Sequence, residues 1–150
     1  MFQTRYYQEE AIEAAYESLS RGKNPLIVTP TGSGKSLIIA EFCRRAIKDY
    51  SETKILVLSH VRELIDQDAR AILRQWPGAP VSIYSAGLNQ KRVNQITVGS
   101  IQTVIKNERL YGYFDLVIID EVHLVSKKGQ GNYRKFIDES LKINEDRKSV

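Results

Sequence analysis

"TPTGSGKS", residues 29–36, stands between the apolar runs "LIV" (26–28) and "LIIA" (37–40). The flanking runs read as a buried strand entering and a buried helix leaving. Glycine costs about 0.5–1 kcal/mol relative to alanine in an ordered segment, so two glycines here imply a need for bare backbone. The stretch fits the second half of the phosphate-loop pattern G-x-x-x-x-G-K-[ST] through Gly34, Lys35 and Ser36, with Thr29 at the first glycine position. Gly32 keeps the loop free to turn. In such a loop, backbone N–H groups and a helix N-terminus face phosphate oxygens. Lys35 offers an ammonium to the outer phosphates and Ser36 a hydroxyl to Mg²⁺. The plainer alternative is a Gly-Ser turn followed by a surface lysine.

A second stretch points the same way. "LVIIDE", residues 116–121, drives an apolar strand into two carboxylates, Asp120 and Glu121. Charge at the end of a buried strand is costly unless it is used. Asp120 is expected to hold Mg²⁺ opposite Ser36, and Glu121 to orient and activate an attacking water. The alternative is a strand that ends at solvent with acidic residues. Together the two stretches imply binding and hydrolysis of a Mg-nucleoside triphosphate.

The pattern around these stretches alternates. Ile12, Ala15, Tyr16 and Leu19 share one helical face, and "RGKN" follows. "LIVTP" predicts a strand ended by Pro30, and Ile39, Phe42, Cys43, Ala46 and Ile47 recur at helical spacing. "KILVLSH" predicts a strand, and Leu64, Ile65, Ala69, Ile72, Leu73 and Trp76 a helix stopped at Pro77-Gly78. Short strands are expected at "VSIYS" and "ITVGS", a helical turn at Ile101, Val104 and Ile105, the most apolar strand at "FDLVIIDE", and a last helix at "NYRKFIDESL". The tail "KINEDRKSV" reads as polar and loose. Nearly continuous apolar strands alternating with helices predict an α/β domain, a mostly parallel sheet covered by helices on both faces. Ligands of such sheets bind beyond the carboxyl ends of the strands.

Composition bounds the rest. The 150 residues suit one domain, with 42% hydrophobic and 27% charged residues and a net charge of +4 that permits a polyanionic partner. No apolar run approaches the roughly 20 residues of a membrane span, and the first ten residues hold no signal-peptide core. Cys43 is the one cysteine, which excludes an internal disulfide and a cysteine-rich metal site and reads as core. An intracellular setting is expected, cytoplasmic if the source is prokaryotic or viral, with no membrane partner.

"DEVH", residues 120–123, resembles motif II of the superfamily two helicases, the DEAD/DEAH-box relatives. In them "TPTGSGKS" is a common form of motif I, which accounts for Thr29. "RYYQEEAI" (5–12) resembles the family's adenine-reading segment, with Tyr6 where proline is usual. "LSHVRELIDQ" (58–67) resembles motif Ia and "TVGSIQTV" (97–104) motif Ib.

The resemblance covers roughly residues 3 to 140 and implies a RecA-like P-loop NTPase domain. By it, Gln8 bonds the adenine edge, Arg5 or a nearby tyrosine packs on the ring, and Thr31, Gly32, Ser33, Gly34, Lys35 and Ser36 hold the phosphates of ATP. Lys35, Asp120 and Glu121 are the implied catalytic set. His123 would couple the ATP site to a neighbouring motif rather than bind metal. Ser59, His60, Arg62, Ser100, Gln102 and Thr103 are the implied contacts to a nucleic-acid backbone, each also readable as a helix cap or solvated polar residue.

The wording of motif Ia and of the run after "DEVH" resembles DNA helicases and restriction-type translocases more than RNA helicases. Neither the family's Ser-Ala-Thr motif nor a second motor domain with its arginine finger follows residue 123. The expectation is therefore that residues 1–150 form the first RecA-like domain of a two-domain motor, the second domain acting in cis or in trans, and that this chain is at most a feeble ATPase. The rival readings are a nucleotide-gated nucleic-acid-binding module without turnover, and a P-loop kinase or other P-loop NTPase.

Overall fold

The computed structural model describes residues 4–24, 26, 34–121 and 127–148. The strand expected at 26–30, the loop residues Thr31, Gly32 and Ser33, and His123 lie outside the described residues, apart from Leu26.

Helix α1 spans Tyr6–Ser20. Gln8 starts it by accepting the Arg5 N–H at 2.7 Å, one half of a capping box. It ends where Gly22 takes φ 73° and the chain turns back onto Leu19 and Ser18. Helix α2 (Lys35–Asp49) leads to β1 (Ile55–Ser59), then α3 (Arg62–Gln75), β2 (Val81–Ser85) and a two-residue hairpin strand β3 (Gln90–Lys91). Strand β4 (Ile96–Ser100) runs directly into the short α4 (Ile101–Val104), followed by β5 (Leu116–Ile119) and α5 (Lys127–Lys148).

The sheet order is β3-β2-β4-β1-β5. Strands β2, β4, β1 and β5 are mutually parallel, and only β3 runs antiparallel. Alternation along β1 sends its side chains to two different cores. Ile55 and Val57, with Ile96 and Val98 of β4, pack under α2 and α3 against Ile39, Cys43, Ile65 and Ile72. Leu56 and Leu58 face the other way, against Ile101 and Val104 of α4 and Tyr133 and Phe136 of α5. A third cluster docks α1 on α2 through Ile12, Ala15, Ile38 and Phe42. Each fully buried aliphatic side chain contributes about 1.5–3 kcal/mol. Strands that are apolar on both sides thus require helices on both sides, as the fold has. Cys43 is fully buried, and burial pushes its thiol up to about 12, so it is core and not a nucleophile.

Two expectations are corrected. The tail from Lys142 is not loose, because α5 continues through Lys148. Ile143 anchors that last stretch on the second core, and a Cβ on Gly112 would stand 2.8 Å from its Cγ2. Strand β5 is also shorter than "FDLVIIDE" suggested: Phe114 turns into the second core, and the ladder begins at Leu116.

Register aligns the functional edge. Ser59 pairs with Ser100, and Leu58 pairs with both Gly99 and Ile119. Asp120 continues the ladder by one bond, its N–H donating to the Leu58 carbonyl at 2.8 Å. The chain therefore leaves β1, β4 and β5 at one level.

Candidate active site

Gly34 opens α2 in a left-handed conformation, φ 77° and ψ 42°. Its carbonyl accepts Leu37 N–H at 3.0 Å and Gln8 Nε2 at 3.4 Å. A Cβ at Gly34 would lie 2.5 Å from that same Gln8 nitrogen. The left-handed backbone angle favours glycine here, and a Cβ would also displace the end of the Gln8 side chain. Gln8 is buried, and its amide bridges the start of α1 and the start of α2. Arg5 and Tyr6 beside it are exposed, and Arg5 Nη1 reaches the Tyr7 hydroxyl at 3.5 Å.

Lys35 extends from the first turn of α2 to the end of β5. Its Nζ lies 2.8 Å from Asp120 Oδ1 and also pairs with Glu121. Glu121 has φ 55°, left-handed for a residue with a side chain. Such strain costs of order 1–3 kcal/mol and gathers at functional sites. Asp120 is buried, and neither of its carboxylate oxygens has an aligned hydrogen-bond donor, so the Lys35 contact is an ion pair and no more.

Ser36 does not bond Asp120. Its hydroxyl donates to Asp68 Oδ1 at 3.0 Å and accepts from Gln67 Nε2 at 2.9 Å. Asp68 is fully buried on α3. Burial first, and then the neighbouring Asp120 carboxyl, push its pKa well above the usual carboxylate range, against the pull of Ser36 and Lys35. Tyr133 of α5 completes the surroundings, with a buried, unpartnered hydroxyl that burial and the Asp120 charge push up to about 12.

The donor set is one hydroxyl and buried carboxylate oxygens that lack donors. Those are hard oxygen ligands, and they fit Mg²⁺. Among the described residues no cluster of three or more His, Cys, Asp or Glu suits a metal, so any ion here would lean on few protein ligands, as Mg²⁺ beside phosphates does.

The six residues tied to a nucleic-acid backbone divide into two sets. Ser59, Ser100 and Thr103 are buried, and their hydroxyls hold loops in place: Ser59 Oγ accepts Val61 N–H at 3.1 Å, Ser100 Oγ accepts Thr103 N–H at 3.1 Å, and Thr103 Oγ1 accepts Ala86 N–H at 3.0 Å. Arg62 and Gln102 are exposed, and Gln102 Nε2 donates to the His60 carbonyl at 3.4 Å. His60 is half-buried, and its Nδ1 has no partner.

The family described as "Type III restriction enzyme, res subunit" matches residues 1–145. The chain belongs to that family. It is 27% identical over 143 residues to the type I restriction enzyme EcoAI endonuclease subunit of Escherichia coli, covering 89% of this chain and 17% of that protein. It is 26% identical over 144 residues to the ATP-dependent DNA helicase MPH1 of Debaryomyces hansenii, covering 88% of this chain and 12% of that one. The UvsW helicase of bacteriophage T4 superimposes with a TM-score of 0.72 at 26% identity, over 93% of this chain and 50% of that chain. This res-subunit-family domain thus spans half or less of each of these relatives, and its fold is that of a RecA-like helicase domain.

Sequence reasoning missed Asp68, although a signal existed. Asp68 falls on the apolar stripe of α3 formed by Ile65, Ala69 and Ile72, where a lone acid is out of place. Glu41 of α2 is the same case. It is buried among Ile38, Phe42 and Ala46, and accepts from Arg44 at 2.5 Å, Arg45 at 2.9 Å and Gln75 at 2.8 Å. Arg45 continues the network to Glu9 of α1.

Proposed function

We propose that this res-subunit-family domain is the ATP-binding motor domain of a nucleic-acid helicase or translocase, with DNA favoured over RNA. The observation that carries the proposal is Lys35 at the start of α2, paired with Asp120 and Glu121 at the carboxyl end of β5. That edge is where open α/β sheets bind ligands.

In this reading Thr31, Gly32, Ser33, Gly34 and Lys35 take the phosphates of ATP, and Arg5, Gln8 and the adjacent tyrosines take the adenine. Ser36 and Asp120 would hold Mg²⁺, which would neutralise charge on the outer phosphates. Lys35 leaves the two carboxylates to meet the γ-phosphate, and the freed Glu121 carboxylate accepts the proton of the attacking water. The water oxygen bonds to the γ-phosphorus as the bond to the bridging oxygen breaks, and ADP leaves. His123 couples this site to the nucleic-acid edge.

Arg62 at the start of α3, Gln102 on α4 and His60 between β1 and α3, with Ser59, Ser100 and Thr103 holding these segments, track the phosphate backbone without reading bases. A second RecA-like domain, in cis or in trans, supplies the arginine that such sites need, worth about 10³–10⁵ in rate. Among the described residues no helix is long and apolar enough to cross a membrane, and an intracellular setting belongs to the same proposal.

The test is phosphate release by this chain, with and without single-stranded DNA, beside a longer protein carrying both motor domains. Feeble, DNA-indifferent turnover by the chain and DNA-stimulated turnover by the longer protein are expected. Equal turnover by the two overturns the split site. Absence of turnover in both overturns the motor reading.

A further inference from the structure

The acid that sequence reasoning missed has no role in the reaction as proposed above. Asp68 stands on α3, the helix that Arg62 begins, yet its side chain points away from that edge and into the site. One carboxylate oxygen accepts from the Ser36 hydroxyl at 3.0 Å. The other is buried without a hydrogen-bond partner, as are both oxygens of Asp120. The Asp68 and Asp120 carboxyls also face each other, and two acids crowded into one buried place each carry a desolvation penalty of about 1–3 kcal/mol or more. Lys35 offsets part of this charge, through its ion pair with Asp120 and its field at Asp68.

We infer that Asp68 is a positioning residue of the Mg²⁺ site: it orients the Ser36 hydroxyl toward the metal and offers its free oxygen to the water shell that the metal carries. The inference rests on the Mg-nucleotide reading of the site. Ser36 has one proton and two lone pairs. Asp68 takes the proton, and Gln67 Nε2, at 2.9 Å, donates to one lone pair. The second lone pair remains for the metal. Gln67 and Asp68 are adjacent residues of one helix, so α3 alone fixes the rotation of the serine. Mg²⁺ keeps several of its waters in protein sites, and a buried carboxylate oxygen without a donor is a fitting acceptor for them. The arrangement also ties the metal to the helix whose first residue, Arg62, faces the nucleic-acid edge.

The experiment measures binding of methylanthraniloyl-ADP to the wild-type chain, D68N and D68A, across a Mg²⁺ titration and in EDTA. D68N keeps an oxygen to accept from Ser36 but replaces the second carboxyl oxygen with an amide N–H₂, which cannot accept from the metal's waters, and it preserves shape if D68A folds poorly. The expected result is unchanged affinity in EDTA, with the Mg²⁺ concentration for half-maximal enhancement raised about 10-fold or more in D68A and by less in D68N. Unchanged Mg²⁺ dependence in both variants, beside a clear dependence in wild type, overturns the role of Asp68 and leaves the nucleotide site standing. Equal weakening with and without Mg²⁺ also overturns it, since that is loss of structure rather than loss of metal. Wild-type binding that ignores Mg²⁺ removes the underlying reading, and the role of Asp68 with it.

Discussion

Lys35 Nζ lies 2.8 Å from Asp120 Oδ1, joining the first turn of α2 to the last rung of β5. Asp120 is buried and Lys35 is one-third exposed, so the lysine can swing toward a ligand while the carboxylate cannot move toward solvent.

Lys35→Ala removes the mobile partner. A charged hydrogen bond is worth about 1.5–3 kcal/mol, so affinity for Mg-ATP should fall by about 10- to 100-fold. Calorimetry on the two proteins checks it, and equal affinities contradict the phosphate-loop reading.

Glu121→Gln keeps the size of the side chain and removes the base. In a longer protein with both motor domains, ATP binding should persist while phosphate release slows by about 10² or more. Turnover close to wild type would exclude Glu121 as the proton acceptor.

Glu41 governs acid stability. Burial pushes its carboxyl up, but the hydrogen bonds from Arg44, Gln75 and Arg45 outweigh burial and hold the pKa at about 2, below the ordinary 4.5. A folded pKa below the unfolded one means that the stabilisation is fully present above about 4.5 and is lost as pH falls toward about 2. Breaking a buried pair by removing one partner costs about 3–5 kcal/mol. Because Arg44 and Arg45 are about a quarter exposed, Glu41→Ala should fall at or below the low end of that range. Thermal melts at pH 7 and pH 3 test both statements: the variant should melt lower at pH 7, and the gap should narrow at pH 3.

The edge residues separate by assay. Arg62→Glu places an acid at the first position of α3, where the helix dipole tolerates it. It should leave the fold intact, weaken single-stranded DNA binding for all sequences alike, and reduce the salt slope by about one. Ser100→Ala should instead cost about 1 kcal/mol of stability, because it removes the cap of α4. Binding that ignores salt, or an Arg62→Glu variant that discriminates between base sequences, would contradict backbone tracking.

Much of the architecture was legible because two-sided burial leaves continuous apolar runs. "KILVLSH" and "ITVGS" became β1 and β4, fully buried strands at the centre of the described sheet. Lys35 and the pair Asp120–Glu121 were legible as polar interruptions at the ends of such runs. Asp68 and Glu41 were not, because an acid within a helical stripe looks like imperfect periodicity until the partner helix is known. The bond from the Ser36 hydroxyl to Asp68 of α3 was not legible either, because it is a relation between distant segments that spacing does not encode. The reach of α5 was hidden because past Phe136 its apolar residues are sparse, and Leu141 is exposed while Ile143 does the packing.

The bonds between the edge loops also decide how the domain carries load. Gln102 Nε2 donates to the His60 carbonyl, and Thr103 Oγ1 accepts the Ala86 N–H, so α4, which follows β4, is stitched to the segments that follow β1 and β2. A pull on Arg62 directed away from the carboxyl ends, along the strand axes, loads β1 lengthwise. Through the stitches the same traction reaches β4 and β2, whose parallel ladders are registered with β1 and with each other. Hydrogen bonds between strands pulled lengthwise are loaded in shear and must yield together, whereas bonds peeled from one end yield singly. A pull along the strand axes at this edge is therefore shared by three strands at once.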